Sequence, residues 1–591
     1  MHKKFLIIIV SLIINVGFSQ NLTLAKTFFD DGEYEKALVE YEKLLKKQPH
    51  RADYLVSTVK CYQELEKLDQ AKNLLSKAIN KNRPQLLVEL GYNYELQKDS
   101  VLAKKNYQKA IEQITENPNS AYSIGRAFEK HSLLKEAKET YLVAMATNPN
   151  MNLNFQLASI YGQLNEIELM FNSYLNTLET NKQLQPTIQR YIAQFVNSDA
   201  KNENNILLKR ALLKKLHSNP NALWNEQLSW LYVQQQEYHK AFVQEKAIFK
   251  RAEQPDLTRI FDLALTAKHH HKYTEAKTIF NFIANQPLEK TTALKVQKYL
   301  LEIETNQSNT YDSIVVKYNE LLNEHGINAQ TLDLQLDYCY LLAFKMNLQK
   351  KAITFLQEHK KQRLGKFNQA RYNMLLADIL VAEGKFNQAL IYYSKIQRSL
   401  KNNVLSQEAR YKVAKTSYFK GDFDWALQQV KVLKTSTSQL IANDALDLHL
   451  LISDHTGNKD DLPMALNKFA EADLLAFQNK KQEAINKLDL LLTHYKGQPI
   501  EDDAYYLQAK LFEKSNNYNK ARENYEFIIN NLKESIFLDN ALYRLGMLNL
   551  NHFQDEKKAK QYFETLIFNH ADSIHFVDAQ KMYRKLRGDS L

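Results

Sequence analysis

The stretch Ser123–Pro149, SIGRAFEKHSLLKEAKETYLVAMATNP, sets a pattern that returns along the chain. Counting Ala137 as the twentieth residue of a unit puts Gly125 at position 8, Phe128 at 11, Tyr141 at 24 and Pro149 at 32. The first unit has Ala25, Phe28, Ala37, Tyr41 and Pro49 at the same places. The small residue recurs at Ala37, Ala71, Ala103 and Ala137, with spacings of 34, 32 and 34. Self-similarity at this period marks an array in which each unit is a pair of antiparallel helices. The logic is steric. Two helices approach closely only where side chains are small, at positions 8 and 20, and the aromatics at 11 and 24 fill the space beside that contact. Proline at 32 cannot continue the hydrogen-bond ladder, so it ends the second helix.

The turn inside each unit carries its own signal. Gly32, Gly384 and Gly421 lie five residues before Ala37, Ala389 and Ala426, and an aromatic (Tyr34, Phe386, Phe423) follows two residues later. Glycine there suits a left-handed helix end. Tyr238, Tyr273 and Tyr518 repeat the aromatic half of the signal before Ala241, Ala276 and Ala521. The register continues through Met170, a degenerate unit near Leu207, Ala241, Ala276, a weak unit near Ile314, Ala352, Ala389, Ala426, Ala484, Ala521 and Ala559. About fifteen helix pairs are expected. From Ala352 the steps are 37, 37, 58, 37 and 38, so the second half uses longer helices or loops. The long step holds an additional helical stretch, Ser438 to Asp454. The string Gly-Lys-Phe-Asn-Gln-Ala, ending at Ala370 and again at Ala389, is out of phase with the repeat and reads as an echo. The expected divisions are residues 1–19, an N-terminal array over 20–290, a middle array over 291–437 with an irregular junction, and a C-terminal array over 438–591 with wider repeats. A last helix near Ser573 to Leu586 caps the end.

Composition agrees with an all-α superhelical solenoid. With 13 glycines and 10 prolines in 591 residues, 44% of them hydrophobic, little material remains for turn-rich β architecture. A solenoid core grows along one axis, so this length needs no division into globular domains. The net charge of +11 comes from 78 basic and 67 acidic residues that are intermixed, without a block of like charge, which argues for solvated helix faces and against nucleic acid. His2-Lys3-Lys4, the apolar run Phe5 to Phe18 and the small residues Gly17 and Ser19 read as a secretory signal peptide cleaved after Ser19. No later stretch is apolar enough to span a membrane, so the mature chain is expected to be exported. Cys61 and Cys339 lie about eight repeats apart, too far to pair when contacts are nearest-neighbour, and read as small buried hydrophobes.

Few residues invite a chemical role. His269-His270-His271 is the one histidine cluster, but consecutive helical residues point about 100° apart and no acidic or cysteine set accompanies them, so a solvated turn is expected and no metal site. Arg587-Gly588-Asp589 is a three-residue match that chance supplies. The acidic pairs Asp30-Asp31 and Asp502-Asp503 read as residues at repeat junctions or helix starts. Trp224, Trp230 and Trp425 fit packing between helices better than ligand stacking. There is no phosphate-binding glycine loop, dinucleotide fingerprint or nucleophile elbow. No catalytic residue, enzyme activity or cofactor is expected.

These units resemble the tetratricopeptide-repeat superfamily over nearly all of the sequence after the leader. The stretch from Asp502-Asp503-Ala504-Tyr505-Tyr506 through Ala521, Asp539-Asn540-Ala541-Leu542 and Ala559 resembles the TolA-binding periplasmic protein and the lipoprotein of the β-barrel assembly machinery, although no cysteine lies near the expected cleavage point to carry a lipid. Gly421-Asp422-Phe423-Asp424-Trp425-Ala426, Ser436-Thr437-Ser438, Ile441-Ala442-Asn443-Asp444-Ala445 and the ending Leu586-Arg587-Gly588-Asp589 are similar to large exported repeat proteins of Bacteroidetes. The resemblance implies a non-catalytic scaffold for protein–protein interaction in the periplasm, with peripheral outer-membrane association and with other envelope proteins or peptides as partners. A cell-wall glycan or outer-membrane β-barrel assembly factor is the alternative. It also implies that position 9 of each first helix faces the groove. Here that position holds Lys26, Lys60, Tyr92 and Arg126, a basic ladder suited to an extended acidic peptide or a terminal carboxylate. The family's carboxylate clamp also uses asparagines, and its full set is not matched.

Overall fold

In the computed structural model, described over residues 22–80, 82–433, 438–456 and 462–589, helices follow one another as hairpins and no strand occurs among those residues. The proposed leader, 1–19, lies outside the described residues. The chain forms two compact units, Met1–Asp256 and Leu257–Leu591.

The small-residue register is the packing register. Ala25, Ala37, Ala71, Ala137, Ala241, Ala276, Ala352, Ala389, Ala426, Ala484, Ala521 and Ala559 are all fully buried. A Cβ added to Gly91 would overlap the ring of Tyr107, one added to Gly125 the ring of Tyr141, and one added to Gly546 the ring of Phe563. The aromatic at position 24 therefore lies directly over the small residue at position 8, or at Gly546 one place earlier, where the wider turns of Asn549–Phe553 intervene. Its hydroxyl has a fixed partner too. Tyr107 donates to Glu95 and Tyr141 to Glu129, both at 2.7 Å, and Tyr525 to Glu513 at 2.6 Å. Each acceptor stands four residues after the small residue, at position 12, so one tyrosine closes its hairpin by packing and by a charge-assisted hydrogen bond.

The turn geometry is more regular than the glycines suggest. Gly32, Gly384 and Gly421 have φ of 77°, 79° and 84°. At the same place, five residues before the register residue, Glu66, Lys98, Ser132, Asn165, Gln236, His271, Asn347, Asn479, Asn516 and Gln554 also have positive φ, between 54° and 63°. The bond that closes the turn recurs: Glu33 N donates to Phe28 O, Lys67 N to Tyr62 O and Lys385 N to Leu380 O, each at 2.8 Å. This is the left-handed termination that allows the chain to reverse. The faint unit near Leu207 lacks it, Asn202 having φ −57°. There the helix Glu203–Ser218 packs on Ile167–Thr180 and Ala222–Gln234, and the short helix Gln185–Ile192 touches the same two, Tyr191 stacking on Tyr174 and Gln189 donating to Gln227 at 3.2 Å.

Longer steps in the second unit come from longer first helices. Lys366–Ala382 and Val404–Lys420 have 17 residues each, against 11 in Leu86–Leu96 and 10 in Ala121–Lys130. The extra length is more than one helical turn. Both copies of the echoed hexapeptide begin helices, Lys366–Ala382 and Phe386–Ser399. The step of 58 holds the helix Gln439–Asp454, which packs against Phe423–Leu433 and Val404–Lys420. The next first helix, Leu462–Phe477, packs directly on Val404–Lys420, so the row of first helices continues past the insertion. Its end reaches further back. Phe477 meets Phe344 and Phe419, with ring centroids at 5.6 and 5.8 Å. Gln478 donates to Ala382 O at 2.8 Å and Asn479 to Phe344 O at 3.0 Å. The last helix is Phe576–Arg587.

Trp224 is fully buried, but Trp425 is half exposed on Phe423–Leu433, so packing between helices does not account for it. Asp30 ends a first helix, so the pair Asp30-Asp31 lies in the turn within a repeat and not at a junction or a helix start.

These geometries set stability in opposite directions. Lys98→Gly should stabilise the chain by up to about 1 kcal/mol, because a left-handed conformation costs any other residue about 1–2 kcal/mol. Gly125→Ala should cost about 1–3 kcal/mol by overpacking against Tyr141. Urea denaturation of the two variants checks both signs.

Candidate functional site

The first helices of the N-terminal unit stand side by side, Ala52–Glu64 against Leu86–Leu96 and the latter against Ala121–Lys130. Lys26, Lys60, Tyr92 and Arg126 occupy one register position along them. Lys26 and Arg126 are exposed, Lys60 and Tyr92 half-buried. Two of the four are engaged. Arg126 Nη1 pairs with Glu129 at 2.9 Å, the carboxylate that also accepts from Tyr141. Tyr92 stacks on His131 at 3.8 Å between centroids, and His131 Nε2 meets Glu89 at 2.9 Å in a nearly water-free contact. The Glu89–His131 link was not legible in the sequence, because its members sit 42 residues apart and neither is part of the repeat pattern.

Two cavities of the second unit gather charged side chains that the repeat pattern does not explain. One, of about 610 Å³, is bordered by Lys268, His269, His271, Tyr299, Glu302 and Asp337, among others. The histidine string thus does end a first helix, with His271 in the left-handed turn (φ 57°), and two of its rings reach a cavity rim. Among the described residues no group of three or more His, Cys, Asp or Glu side chains could hold a metal ion. Lys268 and Lys298 both pair with Glu302 and both lie over the Tyr299 ring, at 4.7 and 4.8 Å. Asp337 is left short of partners. Lys298 Nζ is 3.5 Å from its Oδ2, which accepts no hydrogen bond. Burial pushes the Asp337 carboxyl up to about 7, against the pull of Lys298 and with Glu302 adding to the rise.

The other cavity, of about 480 Å³, lies between the inserted helix and the first helices Val404–Lys420, Leu462–Phe477 and Glu501–Lys514. Ion pairs join its walls. Lys415 Nζ meets Asp473 at 2.6 Å, and His455 Nε2 meets Asp503 at 2.9 Å. Asp503, expected at a helix start, does lie in the first turn of Glu501–Lys514, yet its carboxylate faces across to the inserted helix. Burial raises its carboxyl to about 6, and the hydrogen bond from His455 opposes the rise. Cys61 and Cys339 are free and buried, and burial pushes the Cys61 thiol up to about 12, which leaves it unreactive.

Models of the tetratricopeptide repeat match residues 28–88 and 540–573. The chain contains tetratricopeptide repeats. They match near both ends of the described chain, and the buried small-residue register runs through the helices between them. Tetratricopeptide repeats serve protein–protein interaction. No curated protein matches the sequence. Two solved structures align over nearly the full length. "Structure of Naa15/Naa10 bound to HypK-THB" covers 97% of this chain and 94% of that one at 11% identity, TM-score 0.29. "Crystal structure of APC/C hetero-tetramer Cut9-Hcn1" covers 95% of each at 14% identity, TM-score 0.22. At these scores neither bears on what the repeats here hold. Among the described residues no helix is long and apolar enough to cross a membrane.

The Asp337 environment predicts a pH dependence. Its folded carboxyl holds a proton that the unfolded chain has already lost, so its contribution to stability falls as pH rises from about 4 to about 7. Asp337→Asn removes that loss. The variant should gain on the parent as pH rises from about 4 to about 7 in denaturation midpoints, and a pH-independent difference would contradict the assignment.

Proposed function

We propose that the chain is an exported, non-catalytic scaffold of a bacterial cell envelope, holding partner proteins on the face built by its first helices. The observation that carries this reading is the division of labour within each repeat. Small residues and tyrosines of the repeat register are consumed in closing hairpins, whereas position 9 of successive first helices presents Lys26, Lys60, Tyr92 and Arg126 toward solvent or half-exposed. A row of such positions reads an extended segment by charge, with arginine and lysine meeting carboxylates. The basic start and apolar run at 3–18 support export, and an exported repeat chain meets its partners in the envelope. Partners are then envelope proteins or peptides.

The test joins location to contact. A photo-crosslinking residue at position 60 of the full chain, in living cells, should trap a periplasmic or outer-membrane protein, and fractionation should find the processed chain outside the cytoplasm. Lys60→Glu with Arg126→Glu should weaken binding of the trapped protein at least about tenfold with helicity intact. An unprocessed cytoplasmic chain would contradict export. Trapping of cell-wall glycan instead of protein would favour a polymer-binding accessory role.

A further inference from the structure

The inserted helix Gln439–Asp454 has no counterpart in the repeat, and it supplies one wall of the 480 Å³ cavity. Its buried residues Ile441, Ala445, Leu448 and Ile452 form a single seam that seats it on its neighbours. That seating leaves Asp444, Asp447 and Asp454 lining the cavity. The charges there do not balance. Lys415 is taken by Asp473 and Asp503 by His455, so three carboxylates remain against Lys510, whose ammonium stands 5.2 Å from the Tyr506 ring. Burial and the neighbouring Asp444 push the Asp447 carboxyl above its usual range, with Lys510 opposing the rise. At the end of the inserted helix itself, beside Asp454, one buried polar atom is also left unpaired. His455 is 3% exposed, lines the cavity, and its Nδ1 has no hydrogen-bond partner. At the rim, Ile536 and Ile574 are exposed although both are large and apolar, 59% and 80%. They occupy matching positions, each following a serine whose hydroxyl donates to an aspartate of the preceding repeat, Ser535 to Asp502 and Ser573 to Asp539.

A cavity of this size is within the range of about 300–1,000 Å³ usual for ligand pockets. Its negative excess is local, because the chain as a whole carries +11. We propose that this cavity receives a basic segment of a partner protein: one arginine or lysine side chain enters beside the inserted helix to meet Asp444 and Asp447, while apolar residues flanking it rest on Ile536 and Ile574. Arginine suits the site best, since its planar fork can meet two carboxylates at once. The assignment rests on the protein-binding reading of the repeats but uses a different unit and the opposite charge from the Lys26–Arg126 ladder, so each can fail without the other.

The probe is a fluorescein-labelled decapeptide of alternating arginine and leucine, compared with its glutamate–leucine counterpart by anisotropy against the full chain. The arginine peptide should bind and the glutamate peptide should not compete for it. Asp444→Asn with Asp447→Asn should weaken binding at least about tenfold, because a charge left without its partner loses most of the interaction. Asp312→Asn, on a helix remote from this cavity, should leave it unchanged. Ile574→Lys, at a side chain too exposed to matter for folding, should also weaken binding, which keeps the test decisive where the double variant folds poorly. Equal affinity in the parent, the double variant and Ile574→Lys would overturn the proposal, as would displacement by the glutamate peptide.

Discussion

Everything in this chain depends on how closely two antiparallel helices can approach at one small residue. Where Gly91, Gly125 or Gly546 stands, the ring of Tyr107, Tyr141 or Phe563 occupies the room that a methyl group would need. The tyrosine then brings its hydroxyl to a carboxylate one turn further along the first helix, so apolar packing and a charge-assisted hydrogen bond fix the same hairpin. Because each pair is closed locally, the array can lengthen a first helix by a turn, or shorten one to 8 residues as at Gln185–Ile192, without losing the rest.

The inserted helix shows what this tolerance permits. The first helices continue in a row past it, and the array on either side is tied by contacts that ordinary nearest-neighbour stacking would not make, Phe477 between Phe344 and Phe419 and Asn479 onto Phe344 O. Ion pairs run along the same row, Asp378 with Lys412, Lys415 with Asp473 and Glu513 with Arg544. Breaking one partner of such a part-buried pair would cost more than the pair contributes, since it strands the other charge. Packing thus holds the row, and the charges left over on the inserted helix become available to something else.

The hairpins were legible because their cause is local and periodic: Ala37, Ala137 and Ala426 announce themselves by spacing and by size. The left-handed turn was only half legible. Glycine marks it at 32, 384 and 421, but Glu66, Lys98 and His271 adopt the same conformation because the hairpin imposes it, at an energetic cost that their identity does not reveal. The Tyr141–Glu129 bond is written in the sequence as a fixed offset of 12, but glutamate is too common on helices for that offset to stand out. The cavity beside Asp444 could not be read at all. Its walls come from residues 411 to 574, joined by packing that begins at an interruption of the repeat, and no periodicity links Asp447 to Lys510. Likewise Tyr92, a ladder residue by register, turns out to be stacked on His131 by a partner nearly forty residues away.

Hydrogen exchange on an Ala137→Leu variant tests the role of the small residue most directly. If close approach at that position closes one hairpin at a time, protection should fall in Ala121–Lys130, Leu134–Thr147 and the helices they touch, and remain at parent level beyond Leu257. Protection unchanged around residue 137, or lost equally throughout the chain, would contradict it.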